Sequence, residues 1–142
     1  MEQNITNHAD DLVSCFKEKL DLKPIDIRAY SPLTLAYIGD SVYDLLIRTE
    51  SVCRANMQTN KYHKSVSKIV CAKAQADMIE ALLNDLTEEE AEVYRRGRNA
   101  TVYTKAKNAT HGEYHKATGF EAVLGLYLFN GFKNSDLQTT QE

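Results

Sequence analysis

Apolar residues recur at steps of three and four along nearly the whole chain, and no stretch shows the strict alternation of a half-buried strand. The pattern predicts an all-α fold. Leu12, Val13, Phe16 and Leu20 form a first stripe on a helix over about 8–20, followed by a connector at 21–30 that contains Pro24. Ser31 is placed to cap a second helix, and Pro32 suits its first turn, where the missing N–H costs nothing. Leu35, Ile38, Val42, Leu45 and Thr49 then give that helix a buried face reaching to about Glu50. A third helix is expected over about 59–70, with Val66, Ile69 and Val70 apolar. A fourth runs from about Ala72 through Met78, Ile79, Leu82 and Leu83, and the junction near Cys71 is left open. Thr87 and Glu90 spell a capping box that starts a fifth helix, with Gly97 as its terminator. Residues 99–112 read as a polar loop. A last helix over about 115–129 buries Phe120, Val123, Leu124, Tyr127 and Leu128, and residues beyond 133 read as a frayed tail.

At 142 residues the chain suits one domain with a hydrophobic core. Its 43% hydrophobic and 26% charged residues argue against both a disordered chain and a fibre. No window approaches the roughly 18 consecutive apolar residues of a membrane span, and the first ten residues are polar, so a cytoplasmic protein that does not engage a membrane is expected. Cys15, Cys53 and Cys71 match no metal or redox spacing and are expected to be buried, reduced thiols. His111 and His115 are four apart, but with no cysteine or third histidine near them they do not suggest zinc.

Charge changes the picture through its distribution, since the net value is only −3. Residues 53–76 hold Arg54, Lys61, Lys64, Lys68 and Lys73 with no acid, and residues 93–112 hold Arg95, Arg96, Arg98, Lys105 and Lys107, again with none. The interval between them carries seven acids and no base. Alternating solvated faces explain one such run; two are the clustering that phosphate contacts require.

Asp40 and Asp44 are an i, i+4 pair on the second helix, expected opposite its apolar stripe, and Gly39 sits beside them. Glu121 lies on the last helix, flanked by apolar residues and followed four positions later by Gly125. A glycine inside a helix is worse than alanine by about 0.5–1 kcal/mol, so it points to a place where another backbone or a ligand comes close. Singly, each acid reads as a surface carboxylate paired with a nearby base. With basic flanks, acids from distant segments are what a hard divalent cation on a phosphate substrate needs.

Residues 35–42, Leu-Ala-Tyr-Ile-Gly-Asp-Ser-Val, resemble the signature of the ribonuclease III family, and residues 120–125, Phe-Glu-Ala-Val-Leu-Gly, resemble its second acidic motif. Residues 95–100, Arg-Arg-Gly-Arg-Asn-Ala, and residues 67–76, with Ile69, Val70, Ala72, Lys73, Gln75 and Ala76, are similar to its Mini-III branch. The resemblance covers about 31–132. It implies an all-helical endonuclease domain, without a double-stranded RNA-binding domain, that forms a homodimer around duplex RNA. It further implies a Mg2+ site, with Mn2+ able to substitute, on Asp40 and Glu121. Two departures stand out: the family carries further acids at the positions of Ala36 and Thr118. Asp44, Gly39, Gly125 and Thr118 are supporting candidates, although a salt bridge to Arg48 is the plainer role for Asp44. Arg95, Arg96, Arg98, Lys105 and Lys107 form one expected set of RNA contacts, and Lys64, Lys68, Lys73 and Gln75 a second. The branch also points to a ribosomal RNA precursor as substrate and a ribosomal protein as a candidate stimulator. A catalytically silent RNA-binding or ribosome-assembly protein, and a helical module for another polyanion such as DNA, remain as alternatives.

Overall fold

The computed structural model of the chain describes residues 8–101 and 110–130. Among them are six α-helices and no strand: α1 (His8–Lys19), α2 (Pro32–Arg54), α3 (Thr59–Val70), α4 (Ala72–Leu82), α5 (Glu88–Asn99) and α6 (His111–Asn130). Short 3-10 turns stand at Ile27–Ala29 and Leu83–Asp85. The all-α expectation is met, and no described helix is long and apolar enough to cross a membrane.

The axis of the fold is α6, whose Ala117, Thr118, Gly119, Phe120, Ala122, Val123, Gly125 and Leu126 are all buried. A helix that is apolar on every side must be covered on every side, and α2, α4 and α5 pack around this one. Tyr43 of α2 anchors the core: it is 1% exposed, and its ring meets Phe120 edge-on at 5.7 Å.

Helix ends follow local chemistry. Ser31 Oγ accepts the Thr34 N–H at 3.2 Å. Thr87 and Glu90 close their capping box, with the Glu90 N–H donating to Thr87 Oγ1 at 3.3 Å and the Thr87 N–H to Glu90 Oε2 at 2.9 Å. The chain leaves α1 through Asp21 at φ 51°, while the Leu22 N–H returns to the Lys17 carbonyl at 2.9 Å. Cys71, at φ −67° and ψ 153°, both ends α3 and starts α4. The last carbonyls of α3 have no intrahelical partner. The Tyr43 hydroxyl donates to Ile69 O at 2.8 Å, and the Gln75 amide donates to Val70 O at 3.4 Å.

Several expectations are corrected. The buried face of α2 is Leu35, Ala36, Gly39, Tyr43 and Ile47, whereas Ile38 and Val42 are half-buried and Leu45 is 59% exposed. Asp40 therefore borders the core face instead of opposing it. The helix also runs on to Arg54, which pairs with Glu50 at 2.6 Å. Gly97 does not terminate α5; the helix continues to Asn99, and Gly97 is buried within it. The start of α6 is His111, not His115, because Thr110 and Glu113 form a reciprocal cap: the Thr110 N–H donates to Glu113 Oε2 at 3.1 Å and the Glu113 N–H to Thr110 Oγ1 at 3.2 Å. Leu124, Tyr127 and Leu128 are half-buried, and Ala122 and Leu126 fill the core instead. All three cysteines are free and exposed, not buried. The expected tail beyond 133 lies outside the described residues.

Candidate functional site

The crossing of α2 and α6 builds the site. A Cβ on Gly39 would lie 1.7 Å from the Glu121 carbonyl oxygen, and one on Gly125 would lie 2.1 Å from the Leu35 carbonyl oxygen. Only hydrogen fits at either place, so the two backbones touch. Asp40 follows Gly39 and Glu121 lies one turn before Gly125, so close approach of the backbones carries both acids to one seam. Their carboxyl groups are within hydrogen-bonding reach of each other.

The two acids sit in different environments: Glu121 is partly buried and Asp40 is exposed. Burial chiefly, then the negative charge of Asp40, pushes the Glu121 carboxyl up to about 7, against the pull of a hydrogen bond from Gln75. Among the described residues, no Lys, Arg or His forms an ion pair with either acid. The site is thus a pair of carboxyls whose mutual repulsion no described base offsets.

Two further contacts surround Glu121. A Cβ on Gly97 would fall 2.9 Å from Gly119 Cα, and one on Gly119 would fall 2.8 Å from the Tyr94 carbonyl oxygen. This second glycine crossing seats the C-terminal half of α5 against α6, two residues before Glu121. From α4 comes Gln75, which is 2% exposed. Its amide serves Val70 O and the Glu121 carboxylate. Gln75 therefore does not stand with the surface cations as a contact for RNA; it belongs to the carboxylate site.

The supporting candidates divide. Gly39 and Gly125 make the crossing. Asp44 is turned to Arg48 at 2.8 Å, the i+4 ion pair that its spacing suggests. Thr118 is buried one turn before Glu121, and its hydroxyl donates to Tyr114 O at 3.0 Å. Ala36 is buried one turn before Asp40.

Among the cations, Arg95 pairs with Glu92 at 2.7 Å and Lys73 with Asp77 at 3.0 Å. Arg98 lies over the Tyr94 ring at 5.7 Å. Arg96 is exposed and, with Arg28, lines a cleft floored by Leu35 and Leu126. Lys64 and Lys68 share an outward face of α3 with Lys61, opposite Val66, Ile69 and Val70, and all three are exposed. Lys105 and Lys107 lie outside the described residues.

Hard divalent ions prefer oxygen ligands, and Mg2+ in particular keeps several waters and needs only one or two protein carboxylates. Asp40 and Glu121 offer such a donor set, at a place where like charge is otherwise unrelieved. Among the described residues no three His, Cys, Asp or Glu side chains gather into a larger metal-binding group. Two features around the site carry sequence signals that periodicity passes over, Gly119 as a glycine inside an apolar helix and the Thr110–Glu113 capping pair, whereas the burial of Gln75 carries none.

Residues 33–131 match the family model described as the ribonuclease III domain. The chain is 47% identical over 108 residues to a Mini-ribonuclease 3 of Clostridium tetani, covering 74% of this chain and 71% of that protein. A Mini-ribonuclease 3 of Brevibacillus brevis is 36% identical over 126 residues, covering 89% of this chain and 92% of that protein. A crystal structure of a Fusobacterium nucleatum protein superposes with a TM-score of 0.69 at 32% identity, over 82% of this chain and 93% of that one.

Proposed function

The chain belongs to the ribonuclease III family, as an endoribonuclease of the Mini-III branch, and from that premise we propose that it hydrolyses double-stranded RNA with Mg2+ held by Asp40 and Glu121. The observation that carries the reading is the meeting of these two carboxyls, from different helices, with no described base to neutralise them. Bound there, a divalent ion supplies charge neutralisation at the phosphate and activation of the attacking water.

The chain's own residues do the rest. Glu121, fixed in the helix core, gives the site a rigid inner wall, and exposed Asp40 marks the side on which a phosphate arrives. Rigid placement of this kind lets water attack in line with the leaving oxygen. Duplex RNA hides its base edges in a deep, narrow major groove, so recognition falls to phosphates, 2′-hydroxyls and shape. Arg95, Arg96 and Arg98, on the helix that the Gly97–Gly119 contact seats against α6, form the first set of phosphate contacts in this reading. Lys64, Lys68 and Lys73 form a second set, with Lys105 and Lys107 joining the first.

A homodimer completes the proposal. Besides its core face, α2 leaves Tyr37, Leu45, Leu46 and Val52 81%, 59%, 61% and 63% exposed. Apolar surface of this extent on one helix favours a partner, and a second copy is the partner we propose. The Mini-III assignment supports a ribosomal RNA precursor as the natural duplex, with a ribosomal protein as a stimulator.

The test is cleavage of long duplex RNA in Mg2+ by wild type beside Asp40→Asn and Glu121→Gln. Wild type is expected to cut; the variants are expected to bind RNA, keep their helical spectrum and not cut. Binding without cleavage by wild type in Mg2+ refutes the proposed mechanism.

A further inference from the structure

A buried carboxylate needs hydrogen-bond donors, and the identity of the donor decides what the carboxylate remains able to do. A lysine or arginine beside Glu121 would stabilise its charge and at the same time compete with any metal ion for it. An amide donates a hydrogen bond and carries no charge, so the acid keeps its full attraction for a cation. Gln75 supplies such a donor.

Three observations make its placement specific. Gln75 is 2% exposed, among the most buried side chains of the protein. Its Nε2 donates to the carbonyl of Val70, the last residue of α3, which has no donor within its own helix. The same side chain reaches the Glu121 carboxylate on α6. One amide thus links the end of α3, the first turns of α4 and the acid on α6, and the fixed carbonyl leaves it little freedom to turn.

We propose that Gln75 is a positioning residue for the divalent ion: anchored on Val70, its amide holds the Glu121 carboxylate in the orientation that faces Asp40. The proposal rests on the reading that Asp40 and Glu121 grip that ion. Groups that orient a metal ligand in this way change metal affinity or activity by about ten- to hundredfold when removed.

The test is Mn2+ binding to the full chain without RNA, followed by electron paramagnetic resonance of the free ion, for wild type, Asp40→Asn and Gln75→Met. Methionine keeps the length and bulk of glutamine and removes the donor. Wild type is expected to bind, Asp40→Asn to lose binding, and Gln75→Met to bind about tenfold or more weakly. Its cleavage should recover toward wild type as ion concentration rises, with the KM for duplex RNA unchanged. A residue that only supports the fold would lower the melting temperature and leave ion affinity alone. Wild-type affinity in folded Gln75→Met overturns the proposal and leaves the metal site standing. Equal binding by wild type and Asp40→Asn overturns the metal site itself. Should Gln75→Met not fold, the side-chain amide signal of Gln75 in the wild-type NMR spectrum decides. It is expected to shift when Mg2+ saturates the protein and to stay still in Asp40→Asn; no shift in the saturated wild type refutes the proposal.

Discussion

Replacing Gly39 by alanine improves intrinsic helix propensity by about 0.5–1 kcal/mol, yet here it should destabilise the protein and disable its site. The added Cβ would lie 1.7 Å from the Glu121 carbonyl oxygen and 2.9 Å from the Gly125 nitrogen, both backbone atoms that cannot swing aside. Real Cβ contacts below 3.0 Å are essentially absent, so α2 and α6 must separate by more than 1 Å. That separation loosens the packing of Leu35 and Tyr43 against Val123 and Leu126, all core residues. Overpacking costs about 1–3 kcal/mol where side chains can adjust, and a backbone clash belongs at the upper end. A net loss of about 2–3 kcal/mol lowers the melting temperature of a domain this size by on the order of 10 °C. The same separation moves Asp40 away from Glu121, and a misplacement of about 1 Å can lower turnover about a hundredfold. Gly112→Ala is the control, because a Cβ there meets no described atom within 4 Å, and it should melt at or slightly above the wild-type temperature. Thermal unfolding by circular dichroism and cleavage per folded molecule at 25 °C are the assays. Gly39→Ala melting at or above wild type, or cutting at the wild-type rate, refutes the reasoning.

The Arg95→Ala, Arg96→Ala, Arg98→Ala triple variant should weaken duplex RNA binding and flatten its salt dependence by about one unit of slope for each phosphate no longer engaged; an unchanged slope removes these residues from the interface. The Glu121 carboxyl titrates near 7 in the folded chain against an ordinary 4.5, so the stability it contributes is fully present below about pH 4.5 and lost as pH rises through 7. Metal-free wild type should therefore lose roughly 2–3 kcal/mol across that window, and Glu121→Gln should not; parallel denaturant profiles at pH 4.5 and 8 count against it. Tyr43→Phe leaves Ile69 O without its partner and should cost about 1–2 kcal/mol in denaturant unfolding, with metal affinity unaltered; no loss of stability disproves the role given to that hydroxyl.

Much of the fold can be read from local chemistry. Ser31 with Pro32, and Thr87 with Glu90, place helix starts because the capping groups lie within four residues of each other. The pairing of Asp40 with Gly39 and of Glu121 with Gly125 points to the crossing for a similar reason: a glycine beside an acid in an apolar helix has few other uses. What periodicity cannot supply is which apolar face meets which neighbour. On α2 the stripe through Ile38, Val42 and Leu45 is the more hydrophobic, yet the core face runs through Ala36 and Gly39, where small residues admit α6 and contribute little to an apolar pattern. Gly97 reads as a helix end for the same reason, although its partner Gly119 makes it a contact. Gln75 stands among lysines in sequence and reads as surface; its burial depends on α6 lying across α4, which no local signal reveals.

Anomalous scattering from crystals of the protein soaked in Mn2+ tests the metal site most directly. The account predicts one peak per chain between the carboxyl groups of Asp40 and Glu121, absent from Asp40→Asn crystals. A well-ordered ion elsewhere, with none between these acids in protein that cleaves duplex RNA, would contradict it.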